Sequence, residues 1–144
     1  MSAKDLKALG RGFINEMNKG KAAAMALIDK SCATNIVWHD ANGQDIHGLK
    51  DFKKYMDEMY DAFPDIHWTI DDMIVEGDKA VIRYTVTGTH KRELMGIPAT
   101  NKKITLVALE MDRIVGGKLV EGWIRLDTLG MMQQLGVVPT PQKK

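Results

Sequence analysis

Four histidines (His39, His47, His67 and His90), one cysteine (Cys32) and nineteen carboxylates are the groups able to do chemistry in this chain of 144 residues. A lone cysteine cannot close an internal disulfide and offers no set of thiolates to a metal. A histidine metal site needs three converging ligands, and the four histidines form no short ligand motif, so no metal is expected. What remains is proton transfer and hydrogen bonding by carboxyl and imidazole groups. His90 sits at the end of an apolar strand pattern. A neutral imidazole there can donate to a substrate oxygen, and a preorganised donor of that kind is worth about 3 kcal/mol in a transition state. The same position equally suits a histidine satisfied by backbone at a strand end.

Composition narrows the setting. Twenty basic and nineteen acidic side chains leave a formal charge of +1, which gives no electrostatic reason to expect nucleic acid or an anionic membrane as partner. Hydrophobic residues make up 44% and charged residues 27%, the balance of one folded domain spanning the chain rather than a disordered one. The longest aliphatic run, Ala22 to Ile28, falls short of the ~18 apolar residues of a membrane span. A lipoprotein signal before Ser31-Cys32 is disfavoured, because Asp29 and Lys30 stand where small apolar residues are required. The expected compartment is the cytoplasm.

The elements that position these groups follow from periodicity. Leu6, Leu9, Phe13 and Met17 recur at three- and four-residue steps, which predicts a helix over residues 3–18. An alanine-rich helix over 21–29 follows, then a short strand over 35–39 and a polar turn over 40–48. A third helix covers 49–63 and stops at Pro64. The period then switches to two. Strands over 66–76 and 79–89 form a hairpin around Gly77-Asp78, with a type II′ turn. A 13-residue loop, 90–102, leads to strands over 104–115 and 118–127, joined at Gly116-Gly117. A last helical turn over 128–135 and a flexible tail over 139–144 complete the chain. Helices first and antiparallel strands afterwards indicate an α+β domain with helices on one face of a curved sheet.

Two-residue loops fix the register. Asp72 then faces Arg83 as a cross-strand ion pair, and His67 falls opposite Gly88, on the same face as Tyr84 and His90. In the second hairpin Leu106, Ala108, Glu110, Trp123, Arg125 and Asp127 share one face. Val107, Leu109, Met111, Val120, Ile124 and Leu126 share the other, which is too apolar to be left wet and predicts a homodimer. A bulge would shift these sets by one residue. Burial of Asp127 beside Trp123 would raise its pKa toward that of a useful base, and Arg125 would act oppositely. The alternative is that Asp127 pairs with Arg125 or caps the turn at Thr128.

Asn35–His39 (NIVWH), Ala62–Asp65 (AFPD), Glu76–Lys79 (EGDK), Gly88–His90 (GTH), Met95–Pro98 (MGIP) and Glu121–Gly136 (EGWIRLDTLGMMQQLG) occur in the order and spacing of a known family. By these segments the chain resembles the SnoaL-like polyketide cyclase (ester cyclase) family of the nuclear transport factor 2-like fold group. The resemblance implies a cone-shaped fold in which three N-terminal helices pack on a curved, mostly antiparallel sheet around a pocket. It implies intramolecular aldol chemistry without metal or organic cofactor, with Asp127, four residues after Trp123, as acid/base and His90 as a donor. His39, Trp38, Tyr84, Trp123, Phe63 and Met95 are expected to bind or shape an apolar small molecule. The chain departs from the family at Gly122, where many relatives carry histidine, and at Lys91 and Arg92, where a small residue and glycine are common.

Three functions compete at this level. The first is a cofactor-free cyclase or isomerase acting on an apolar carbonyl or polyketide-like compound. The second is a non-catalytic small-molecule-binding protein of the same fold. The third is water activation in the manner of an epoxide hydrolase, with Asp127, Arg125 and Glu110 as a loose acidic-basic-acidic cluster.

Overall fold

A computed structural model describes residues 1–142. The last two residues of the tail expected to be flexible lie outside the described residues. Helix α1 (Ala3–Met17) starts at a capping box: Ser2 accepts from the Asp5 backbone N–H while the Asp5 carboxylate accepts from the Ser2 N–H, so two otherwise orphaned donors are satisfied. Helix α2 (Lys21–Ser31) runs directly into strand β1 (Cys32–His39). A short strand β2 (Asp45–His47) precedes helix α3 (Leu49–Ala62). Then come the hairpin β3 (His67–Glu76) and β4 (Lys79–Thr89), the hairpin β5 (Lys103–Val115) and β6 (Lys118–Leu126), and helix α4 (Thr128–Gln134).

The six strands form one sheet in the order β2-β1-β6-β5-β4-β3. Every neighbouring pair is antiparallel except β1 with β6. This is the α+β architecture read from the sequence, with two additions. Strand β2 lies in the segment read as a polar turn; three residues with only Ile46 half-buried carry no period-two signal. The parallel β1–β6 pair was not legible, because no short loop ties those strands together. The core lies between the sheet and α1–α3, built on Ile14, Ile28, Ile36, Phe52, Met56 and Leu106. Among the described residues no helix is long and apolar enough to cross a membrane.

Both hairpin turns form as expected. Gly77 alone has a positive φ (60°) in the first, and Gly116 and Gly117 both do in the second (59° and 77°), the patterns of II′ and I′ turns. Beyond the turns each hairpin carries a bulge, and each bulge corrects a face. In β3–β4 the register holds from Glu76↔Lys79 to Asp72↔Arg83 and then slips at Asp71, so His67 pairs with Thr87 rather than Gly88. Trp68 and Ile70 thereby turn inward beside Val86 and Tyr84, and His67 is exposed. Asp72 faces Arg83, but its carboxylate accepts from the Met73 N–H at 2.9 Å instead of pairing with the guanidinium. In β5–β6 the slip falls at Val120: Ile114 pairs with Leu119 but Arg113 with Glu121. Ile124 and Leu126 therefore join Leu106, Ala108, Glu110 and Asp112 on the inner face. Trp123 and Arg125 move to the outer face with Val107, Leu109 and Met111. Hydrophobicity drives the exchange, since it buries Ile124 and leaves Arg125 exposed.

Candidate active site

Between the helices and the inner face of the sheet lies a cavity of about 80 Å³, room for several water-sized groups. Its walls are apolar, with Leu6, Phe13 and Ile14 from α1, Phe52 and Met56 from α3, and Trp68, Ile82 and Ile124 from the sheet. Alternation on β5 brings Glu110 and Asp112 to the same inner face, and both line the cavity together with Tyr84 and Tyr55. Two carboxyl groups two residues apart on the dry side of a sheet are costly. They persist here as a hydrogen-bonded set. The Tyr84 hydroxyl donates to Glu110 Oε2, and Asp112 shares a hydrogen bond with Glu110.

The electrostatics follow from burial. Loss of water raises the Glu110 pKa, while the hydrogen bonds from Asp112 and Tyr84 oppose that rise. Asp112 is held well above the usual carboxylate range by burial first, then by the Glu110 charge and the hydrogen bond to it. Burial of both carboxyl groups together favours the pair holding a proton between them. Tyr84 is likewise pushed well above its ordinary value, by burial first and then by Glu110. Neighbouring Tyr55 is raised by burial and by Asp40; its hydroxyl donates to Asp40 Oδ1 at 2.8 Å. Two buried carboxyl groups whose proton affinities are both raised by loss of water are the kind of group that proton-transfer chemistry uses. Among the described residues no three of His, Cys, Asp and Glu are placed to hold a metal.

The sequence model of the SnoaL-like polyketide cyclases matches residues 10–135. The chain belongs to this family. It is similar in structure to AclR, a candidate hydroxylase from Streptomyces galilaeus: 28% identity over 96% of this chain and 100% of AclR, TM-score 0.82. IdmH, a candidate polyketide cyclase from Streptomyces antibioticus, is 26% identical over 91% of this chain and 98% of its own, TM-score 0.74. A candidate polyketide cyclase from Bacillus cereus is 30% identical over 79% of this chain and 70% of its own, TM-score 0.65. No protein in the curated set matches this chain.

Against the expectations for such a cyclase, Trp38 and Tyr84 line the cavity and the other predicted site residues do not. Asp127 is exposed and is the N-cap of α4, its Oδ1 accepting from the Gly130 N–H at 2.8 Å. This is the capping alternative. His90 is fully buried beside Phe63, ring centroids 5.5 Å apart. Its Nδ1 accepts from the Thr100 N–H at 3.3 Å and lies 3.0 Å from the Thr100 hydroxyl, which puts the proton of the neutral ring on Nε2. Phe63 packs against Gly88, where a Cβ would stand 3.2 Å from the Phe63 Cβ. His39 and Trp123 are on the outer face, stacked at 5.1 Å and 14°. His39 bonds Asp45 at 2.7 Å and Glu121 at 2.8 Å. Met95 is exposed in a tight turn with Gly96, φ 50° and 77°.

The epoxide-hydrolase-like cluster does not assemble. Glu110 faces the cavity, while Arg125 is exposed and donates to the Ile124 and Asp40 carbonyl oxygens. Sequence reasoning gave Glu110 a role only in the loose cluster with Asp127 and Arg125, and it passed over Asp112 and Tyr55. The signal was present: in Leu106-x-Ala108-x-Glu110-x-Asp112 an apolar alternation turns acidic without leaving its face.

Proposed function

We propose that this family member is a cofactor-free acid/base catalyst. Its substrate is an apolar carbonyl compound of polyketide type held in the internal cavity, and the reaction is aldol-type ring closure or isomerisation. The observation that carries the reading is the Glu110–Asp112 pair, bonded to Tyr84 on the floor of an apolar cavity. Glu110 takes the proton from the carbon next to the carbonyl, and the carboxyl pair returns a proton to the oxygen formed as the carbon–carbon bond closes. The sum is an isomerisation that needs no other reactant. The outer face, where Ile74, Val107 and Leu109 are each more than half exposed, supports a homodimer through the sheet.

The test is exchange of α-protons with deuterated water in a panel of apolar keto-esters, followed by proton NMR. Glu110→Gln and Asp112→Asn should each lower the rate by about 100-fold or more, while Asp127→Asn and His90→Gln stay within a few-fold of the parent. A parent rate no faster than buffer would leave a binding protein of the same fold. An Asp127→Asn variant that alone is dead would return the acid/base role to the α4 cap.

A further inference from the structure

Trp38 is 5% exposed and lines the cavity. Its indole Nε1–H has no hydrogen-bond partner among the described residues. An unmade bond of that kind costs about as much as a lost hydrogen bond, so natural cores rarely keep one. The Tyr55 hydroxyl, which donates to Asp40 at 2.8 Å, is close enough for its oxygen to feel the indole N–H but does not meet it in hydrogen-bond geometry.

The indole is accommodated by the glycine on the neighbouring strand. Trp38 pairs across the parallel strands with Gly122, and a Cβ on residue 122 would lie 2.4 Å from the ring atom Cζ3 and 2.6 Å from Cε3. Only glycine leaves room for the ring. Phe52 packs on its other side, with centroids 5.2 Å apart.

We infer that the Trp38 N–H is a specificity donor, reserved for an oxygen of the ligand, and that Gly122 is the residue that allows it. Indole is a donor only, so the ligand must bring an acceptor. An anion would have to shed its water in a cavity with apolar walls and two carboxyl groups, Glu110 and Asp112, which disfavours it. The ligand class is therefore a neutral apolar molecule with a ketone, ester or quinone oxygen. This rests on the cavity being the ligand site.

The experiment compares two probes of one shape, cyclohexanone and methylenecyclohexane, titrated into uniformly 15N-labelled protein. The indole N–H signal of Trp38 is identified by its contacts to the Phe52 and Tyr55 ring protons. The ketone should move that signal downfield, and the alkene should not. Trp38→Phe should weaken cyclohexanone about three- to tenfold and methylenecyclohexane less than twofold. If both probes shift the amides of Ile82 and Tyr84 but affect the indole signal alike, the donor role is wrong and the cavity remains the ligand site. If neither probe perturbs any cavity residue, both readings fall. The signal in the unaltered protein decides the matter even where the Trp38 variant fails to fold.

Discussion

Strands β5 and β6 carry carboxyl groups on both faces, and the two faces treat them in opposite ways. Inside, Glu110 and Asp112 have lost water, and their proton affinities rise. Outside, Glu121 keeps its water and lies between His39 and Arg113, and its pKa falls. One residue of register separates the two environments. The bulge at Val120 therefore decides which side chains can do proton chemistry and which form surface ion pairs. The contrast teaches that the inner pair costs stability, as groups kept for proton chemistry commonly do, whereas the outer network contributes modestly to stability.

The sharpest break of that contrast is Asp112→Asn. A carboxyl whose folded pKa is raised contributes stability below its unfolded value, near 3.8, and that contribution is lost as pH rises through the folded value. An amide does not titrate. The variant should therefore gain stability relative to the parent progressively above about pH 4, while α-proton exchange is lost. Urea denaturation at several pH values checks the first half. A gap that does not grow with pH would mean that Asp112 is not held neutral by the fold.

Next in size is Leu109→Lys, which places a charge on the outer apolar face without touching the cavity. Light scattering should show a dimer for the parent at micromolar concentration and a monomer for the variant, with ligand binding unchanged. A monomeric parent removes the dimer from the comparison altogether.

The same contrast explains how much the sequence revealed. Turn chemistry at Gly77-Asp78 and Gly116-Gly117 and the helical stripes were legible, because they are local. Most segments that carry the family resemblance also prove to hold the scaffold. Asp65 of AFPD accepts from the Thr89 N–H and hydroxyl of GTH, both at 2.7 Å, and the Lys91 N–H donates to the Ala62 carbonyl at 2.8 Å. These motifs clip the α3 end to the β4 end. They located the fold well, but they drew attention away from Glu110 and Asp112, which stand outside every matched segment. The bulges at Asp71 and Val120 were illegible because nothing local marks them. They answer to tertiary demands, the burial of Trp68 in one hairpin and of Ile124 in the other.

Asp127 measures the difference between a motif residue that builds and one that reacts. Asp127→Ala removes the α4 cap and should cost about 1 kcal/mol, read from urea unfolding, with α-proton exchange within a few-fold of the parent. A loss of exchange at unchanged stability would reverse that assignment.

The smallest effect belongs to His39, and it tests the outer half of the contrast. Glu121 first, then Asp45, raises its folded pKa, so its pairing contributes fully below the unfolded value of 6.5 and fades as pH rises through the folded one. Glu121 is shifted the other way, so its share is present above 4.5 and is lost as pH falls through its lowered folded value. The network is therefore strongest between these two limits. Asp45 is half exposed, which discounts the pair to about 0.2–1 kcal/mol. His39→Gln should lose that much at about pH 5.5 and almost none at about pH 8.5, and the difference should shrink in about 1 M salt. An equal loss at both pH values would assign the effect of His39 to its stacking on Trp123. The outer face would then be held by ring contact rather than by charge.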